Sequence, residues 1–209
     1  IFKRFADGDI DILVGTQMIA KGLDFPNVTL VGVLFADMSL HIPDFRSSER
    51  TFNLITQVAG RSGRGEKKGI VYIQTYSPNH YSIECAKNHD YISFYNSEIV
   101  KRKSPLNYPP FSRLVRLVIR GENEKKVESD SNTIADLVRT LTYQYKDKLE
   151  ILGATPCIMS KLNKYYRWNI LIKTASHSLL KEFFEKLSNN FTLQKGNYIE
   201  IDIDPINML

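Results

Sequence analysis

Cysteine is nearly absent from the 209 residues: only Cys85 and Cys157 occur. Neither has a second cysteine at ligand spacing, so no zinc site and no disulfide framework can be assembled locally, and buried thiols in a reducing cytoplasm are expected. No apolar run approaches the ~18 residues of a membrane span, and Ile1-Phe2-Lys3-Arg4-Phe5 has no signal-peptide character, so a membrane partner is not expected. A charged tail is also missing. Lys+Arg 28 against Asp+Glu 23 leaves only +5, shared almost evenly between the two halves. No Ser/His/Asp set and no paired carboxylates stand out. His41 lies between Leu40 and Ile42 and reads as a loop histidine, and Asp202 and Asp204 alternate along a terminal strand as a solvated edge would.

What is present reads as one and a half soluble domains. Phe2 and Phe5 fit the last turns of a helix ending at Asp7-Gly8-Asp9, as if the chain began inside a longer protein. Apolar runs at Ile10 to Val14, Val28 to Leu34 and Gly69 to Tyr76 read as buried strands, with a helix around Arg46 to Gly60. Strands alternating with helices imply a parallel sheet covered on both faces. Pro78 to Lys103 reads as a helical connector with Tyr91, Phe94, Tyr95 and Ile99 on one face. Pro105 and Pro109-Pro110 then break any helix. Domains of 1–77, 78–110 and 111–209 follow.

The third segment has a different pattern. A strand at Leu114 to Ile119, a helix from Glu124 to Tyr145, strands near Leu149 to Leu152 and Trp168 to Thr174, a helix around Ser178 to Leu187 and a strand at Tyr198 to Ile203 give the order β-α-β-β-α-β. That is the split crossover of ferredoxin-like α+β domains.

Two segments carry chemistry. In Gln57-Val58-Ala59-Gly60-Arg61-Ser62-Gly63-Arg64, helical offsets of 0, 4 and 7 place Gln57, Arg61 and Arg64 on one face. Two permanent, forked cations suit a triphosphate whose terminal group gains charge during transfer. Gly60 and Gly63 would each cost ~1 kcal/mol inside a helix, which points to close approach of a ligand or a second lobe. A glycine-rich basic loop that binds any anion is the alternative. Gly15-Thr16-Gln17-Met18-Ile19-Ala20-Lys21-Gly22-Leu23-Asp24-Phe25-Pro26-Asn27-Val28 follows a buried strand, where open parallel sheets bind ligands. There Thr16, Gln17 and Lys21 suit phosphate contacts and Asp24 a ribose hydroxyl, against a plain solvated loop. Lys161 to Lys173 holds Lys161, Lys164, Arg167 and Lys173 with no acid, interleaved with Tyr165, Tyr166 and Trp168. Such a run suits a DNA strand, with charge for phosphates and rings for bases, unless the aromatics serve the core.

Together the first two segments resemble motifs VI and V of superfamily 2 helicases. The segments Pro43-Asp44-Phe45-Arg46-Ser47-Ser48-Glu49-Arg50, Tyr108-Pro109-Pro110-Phe111, Leu152-Gly153-Ala154-Thr155-Pro156 with Arg167-Trp168, and Asp202-Ile203-Asp204-Pro205 narrow the resemblance to the primosomal replication-restart helicases. The resemblance implies a partial RecA-like parallel-sheet lobe followed by the α+β domain, in an ATP-dependent 3′-to-5′ DNA helicase of the cytoplasm that reassembles the primosome at stalled forks. It implies Arg64 as arginine finger, Arg61 as a second phosphate contact and Gln57 near the γ-phosphate and attacking water. Gly22, Asp24 and Gly60 would lie against the nucleotide, and Thr16, Gln17, Lys21, Lys164, Arg167 and Trp168 against DNA. Implied partners are forked and single-stranded DNA, single-stranded DNA-binding protein (with His177 and Lys181 as contacts) and other primosome proteins.

No Gly-x-x-x-x-Gly-Lys-Ser/Thr loop and no Asp-Glu-x-His metal motif occur, so the family's grip on ATP phosphates and Mg²⁺, like its zinc cysteines, is expected upstream. The chain alone is then expected not to hydrolyse ATP. Two other readings stay open: a non-catalytic module binding branched DNA or single-stranded DNA-binding protein, and a branch-migration helicase sharing both motifs.

Overall fold

The structure, a computed structural model, describes residues 1–16, 19, 25, 27–60, 62, 68–145 and 148–208, without the side chains of 141, 142, 144 and 177. Two compact units divide the chain, Ile1–Val100 and Lys101–Leu209.

In the first unit, β1 (Leu30–Val33) and β2 (Ile70–Ile73) pair in parallel, Leu30 opposite Ile70 and Val33 opposite Ile73. Among the described residues they are accompanied by the helices α1 (Phe2–Ala6), α2 (Ser47–Ala59), α3 (Tyr81–Lys87) and α4 (Tyr91–Lys103), with a 3-10 segment at Ala36–His41. Helix α2 buries Ser47, Thr51, Phe52 and Ile55, the single stripe that 3.6-residue periodicity allows. Phe52 stacks on Phe94 of α4 at 4.2 Å, and Val33, Ala36, Ile55, Ile83 and Ala86 complete the core.

Three expectations need correction here. Residues Ile10 to Val14 form no strand, and Ile12 and Val14 are exposed. An apolar run becomes a strand only where a neighbour takes up its backbone groups, and among the described residues nothing pairs with it. Nor is the parallel sheet covered on both faces, since Leu30, Ile70 and Tyr72 stand open to solvent. The connector is two helices rather than one: the chain breaks at Asn88 to Asp90, where His89 adopts φ 53° and Asp90 restarts the helix by accepting the Ser93 amide at 2.9 Å. Of the expected face of α4 only Phe94 is buried, whereas Tyr91 and Tyr95 are exposed.

The second unit runs β3 (Arg113–Gly121), α5 (Glu124–Gln144), β4 (Leu149–Leu162), β5 (Tyr165–Thr174), α6 (His177–Asn190) and β6 (Asn197–Ile203), the expected β-α-β-β-α-β order. The sheet order is β4-β5-β3-β6, antiparallel throughout, as a ferredoxin-like fold requires. Alternation divides β3 cleanly. Val115, Leu117 and Ile119 join Val127, Ile134, Val138, Ile170, Ile172 and Phe183 in a core beneath the two helices. Leu114, Arg116, Val118 and Arg120 point to the other face.

Strand β4 is far longer than expected. It passes through Gly153 (φ 105°) and Pro156, with register shifts after Leu152 and after Pro156. An edge strand tolerates both residues, which a central one would not. Tyr108 to Phe111 and the segment after β6 bracket the start of β3. Asp204 accepts the Leu114 amide, returns its own amide to the Leu114 carbonyl at 2.7 Å and pairs with Arg113 at 2.6 Å.

Candidate nucleotide and nucleic-acid sites

The first site grows from the C-terminal ends of β1 and β2. After Val33 the ladder continues, with Gln74 N donating to Val33 O and Ala36 N to Gln74 O, both at 2.9 Å. Phe35 bends left-handed at φ 52° and its ring stacks near Tyr76. Asp37, 2% exposed, accepts the Tyr76 amide at 3.0 Å and so locks the two strand ends together.

From there the chain reaches α2 through a built N-terminus. Asp44, its side chain 1% exposed, accepts the Arg46 amide at 2.9 Å and pairs with Arg50 Nη1 at 2.9 Å. Ser47 Oγ donates to Ile42 O at 2.5 Å, and the Arg46 guanidinium covers the Phe45 ring. The Pro43 to Arg50 segment therefore fixes the start of the helix whose far end carries Gln57. The sequence showed these residues only through resemblance. Their signal is an Asp three residues before a helical stripe and an Arg six positions beyond that Asp.

Helix α2 ends at Ala59, with Gly60 N bonded to Thr56 O at 3.1 Å and the Ser62 amide and hydroxyl both on Ala59 O. Among the described residues the helix ends at Ala59 with Gly60 as its terminal turn, and the rest of the expected face, Arg61 and Arg64, lies outside the description. Gly60 has φ −68°, and an added Cβ would meet only backbone oxygens at ordinary contact distance. Among the described residues nothing demands glycine there, and Gln57, one turn earlier, is exposed. Thr16 is exposed as well, its carbonyl accepting the Ile19 amide. Gln17, Lys21, Gly22, Asp24, Arg61, Gly63 and Arg64 lie outside the described residues.

In the second unit the basic, aromatic segment separates by strand parity. Tyr166 and Trp168 pack against the helical core. Trp168 is therefore corrected from a base-stacking surface to a core residue, since it sits on the same strand face as Ile170 and Ile172. Lys173 leaves the DNA-facing set too: it is 5% exposed, pairs with Glu150 at 2.8 Å, donates to Leu106 O and lies over the Tyr108 ring. Lys161 donates to Tyr166 OH across its own hairpin.

Lys164 and Arg167 remain at the surface side of β5 and its turn. Lys164 pairs with Glu122 at 2.5 Å and lies over Tyr165, and the Glu122 hydrogen bond pushes its pKa up, so it stays charged. Arg167 lines a shallow cleft of about 170 Å³ with Arg120, Leu162, Asn163, Tyr165 and Glu200. Arg120 was not expected from the sequence. Its signal is a charged residue at alternate positions of an otherwise apolar strand. Of the proposed partner-binding pair, Lys181 is exposed and reaches Glu185 at 4.0 Å, while His177 lies in α6 with its side chain outside the description.

No helix among the described residues is long and apolar enough to cross a membrane, and no group of three or more His, Cys, Asp or Glu among them is arranged to hold a metal ion. Comparison with known proteins divides the chain similarly to its own folding units. Residues 1–66 match the helicase conserved C-terminal domain, and residues 104–206 match the primosomal protein N C-terminal domain. Over the whole chain there is 43% identity to the replication restart protein PriA of Bacillus subtilis, of which the match covers 26%. The PriA of Treponema pallidum is 40% identical over 99% of the chain and 31% of its own length, and that of Synechocystis 40% identical over 100% and 24%. The chain thus spans about a quarter to a third of the curated relatives it matches.

Proposed function

Because the chain belongs to the replication restart protein PriA family, we propose that it is the ATP-sensing and DNA-contacting end of an ATP-dependent 3′-to-5′ DNA helicase that rebuilds the primosome at stalled forks. The observation that carries the reading is the conjunction of domains: a helicase C-terminal unit with motifs V and VI, joined to a primosomal protein N C-terminal unit within one chain. On this reading residues 1–77 are the second half of the second helicase lobe, 78–110 a connector and 111–209 the DNA-contacting domain.

The nucleotide belongs between this lobe and a preceding one. What this chain offers fits a secondary contact rather than a cradle: exposed Gln57, Gly60 at the end of its helix, and the two arginines that follow. Bound ATP with Mg²⁺ supplies the phosphoryl-transfer energy. Arg64 reaches the γ-phosphate and Arg61 a second phosphate oxygen, each a permanent cation whose attraction grows as charge develops there. Gln57 orients the attacking water, and Gly22 and Asp24 lie against the nucleotide. Thr16, Gln17 and Lys21 hold the DNA backbone, so closing of the lobes advances the strand. Magnesium and zinc ligands belong to segments outside residues 1–209. Single-stranded DNA-binding protein and other primosome proteins are the expected partners, with Lys181 and His177 of α6 as the residues assigned to the former.

The test is fork unwinding by the intact protein. It should open a fork with ATP and translocate 3′ to 5′, while residues 1–209 alone turn over no ATP. DNA-stimulated hydrolysis by residues 1–209 alone, or ATP-independent opening by the intact protein, would refute the reading.

A further inference from the structure

The sheet of the second unit has one face covered by α5 and α6 and another that is only half covered. At one end of that second face Leu114, Arg116 and Val118 are buried, with Arg116 donating to Asn207 O and Cys157 Sγ and Lys173 under Tyr108. The chain's own termini of this unit close that end. At the other end, Arg167 of β5, Arg120 of β3 and Tyr198 of β6 stand directly opposite one another across three strands, about 4.8 Å apart per strand. Tyr165 follows Arg167 at the next position on the same face.

Two arginines directly opposite on neighbouring strands repel each other, a placement sheets avoid. Arg120 pairs with Glu200 at 2.7 Å and lies over Tyr165 at 5.3 Å and Tyr198 at 5.7 Å, although its buried Nε makes no aligned hydrogen bond. Arg167 makes no hydrogen bond or ion pair among the described residues, although it borders the cleft. Tyr198 is 53% exposed and its ring stands at 89° to Tyr165, so the two rings offer differently oriented surfaces at one spot. A cation lacking a counter-charge beside two tyrosines calls for a ligand that brings an anion and a flat ring together.

We infer that this end of the open face binds single-stranded DNA, with Tyr198 and Tyr165 stacking bases and Arg167 taking a backbone phosphate that relieves its repulsion from Arg120. The inference rests on the reading that this unit meets DNA, and adds the face and the residues. Stacking on an uncovered four-stranded sheet is a general device for holding unpaired bases, which a duplex cannot offer.

The test is photocrosslinking of the intact protein to a 5-iodouracil-substituted oligonucleotide, with affinity measured by anisotropy. Adducts should map to Tyr198 or Tyr165. Tyr165→Ala with Tyr198→Ala should weaken binding by roughly 30-fold or more, whereas the two Tyr→Phe changes keep the rings and leave it within about twofold. Arg167→Glu breaks no side-chain hydrogen bond or ion pair among the described residues. It should weaken binding and lower the salt slope by about one phosphate contact. If the oligonucleotide binds but adducts lie elsewhere and these variants bind normally, the face is wrong while DNA binding stands. Equal affinity for an abasic strand would reduce the face to a phosphate contact and overturn stacking. If the intact protein binds no single strand, both readings fall.

Discussion

Replacing Asp44 should loosen helix α2 from its start, and the size of the effect follows from two bonds. The carboxylate is almost fully buried, accepts the Arg46 amide and pairs with Arg50, both at 2.9 Å, while Arg50 is about one-third exposed. A hydrogen bond to a charged group contributes about 1.5–3 kcal/mol and a helix-start acceptor about 0.5–2 kcal/mol. Arg50 can regain water, so the lower half of that range applies to the ion pair. Asp44→Ala should therefore cost about 2–3 kcal/mol of local stability, roughly a 30- to 150-fold rise in the opening equilibrium. Asp44→Asn keeps an acceptor for the amide and loses the charge, so a rise of roughly 5- to 30-fold is expected. Hydrogen exchange of the Arg50 to Ile55 amides in the intact protein reads this opening directly. A change under threefold for Asp44→Ala, or an equal effect for Asn, would refute the reasoning.

Two further outcomes concern the second unit. A Cβ on Gly121 would overlap the Asn197 side-chain oxygen and press on Val127, and Asn197 is itself held by buried Asp130 at 2.7 Å. Gly121→Ala should destabilise by about 1–3 kcal/mol, and Asn197→Ser should recover part of that in a double-mutant cycle followed by thermal unfolding. Additive losses would contradict it. Tyr145 donates to Glu182 at 2.6 Å and accepts from Lys186 at 2.7 Å; these bonds, then the ion pair, lower the Glu182 pKa and raise that of Lys186. The Glu182 contribution is complete above its unfolded value of ~4.3 and fades as pH falls through its lower folded value. That of Lys186 is complete below ~10.4 and fades as pH rises through its higher folded value. Melting temperature against pH should flatten at both limbs in Tyr145→Phe, and an unchanged profile would exclude the network.

Local periodicity carried the second unit almost entirely. Its strands and helices alternate polar and apolar residues over a closed core, so β3, α5 and β6 fell within two residues of expectation and α6 ran three residues further. Strand β4 was underestimated because Gly153 and Pro156 read as terminators, although an edge absorbs them. In the first unit Ile10 to Val14 has strand composition and no partner strand among the described residues. Composition alone cannot report that. The sites divide in the same way. Gln57 and Gly60 were singled out from a motif, and the end of α2 at Ala59 depended on Gly60 acting as a turn. Trp168 and Lys173 looked like DNA contacts because a linear segment hides strand parity, which sends one to the core and the other under Tyr108. Arg120 and Tyr198 were invisible for the converse reason, being brought to Arg167 only by the register of three strands.

The central claim is that motif VI serves ATP hydrolysis from this chain, and Arg64 tests it most directly. In the intact protein, Arg64→Ala should leave ATP binding nearly intact and lower DNA-stimulated turnover by roughly 10³-fold or more, the usual consequence of losing an arginine finger. Turnover within tenfold of the unsubstituted protein would contradict the account.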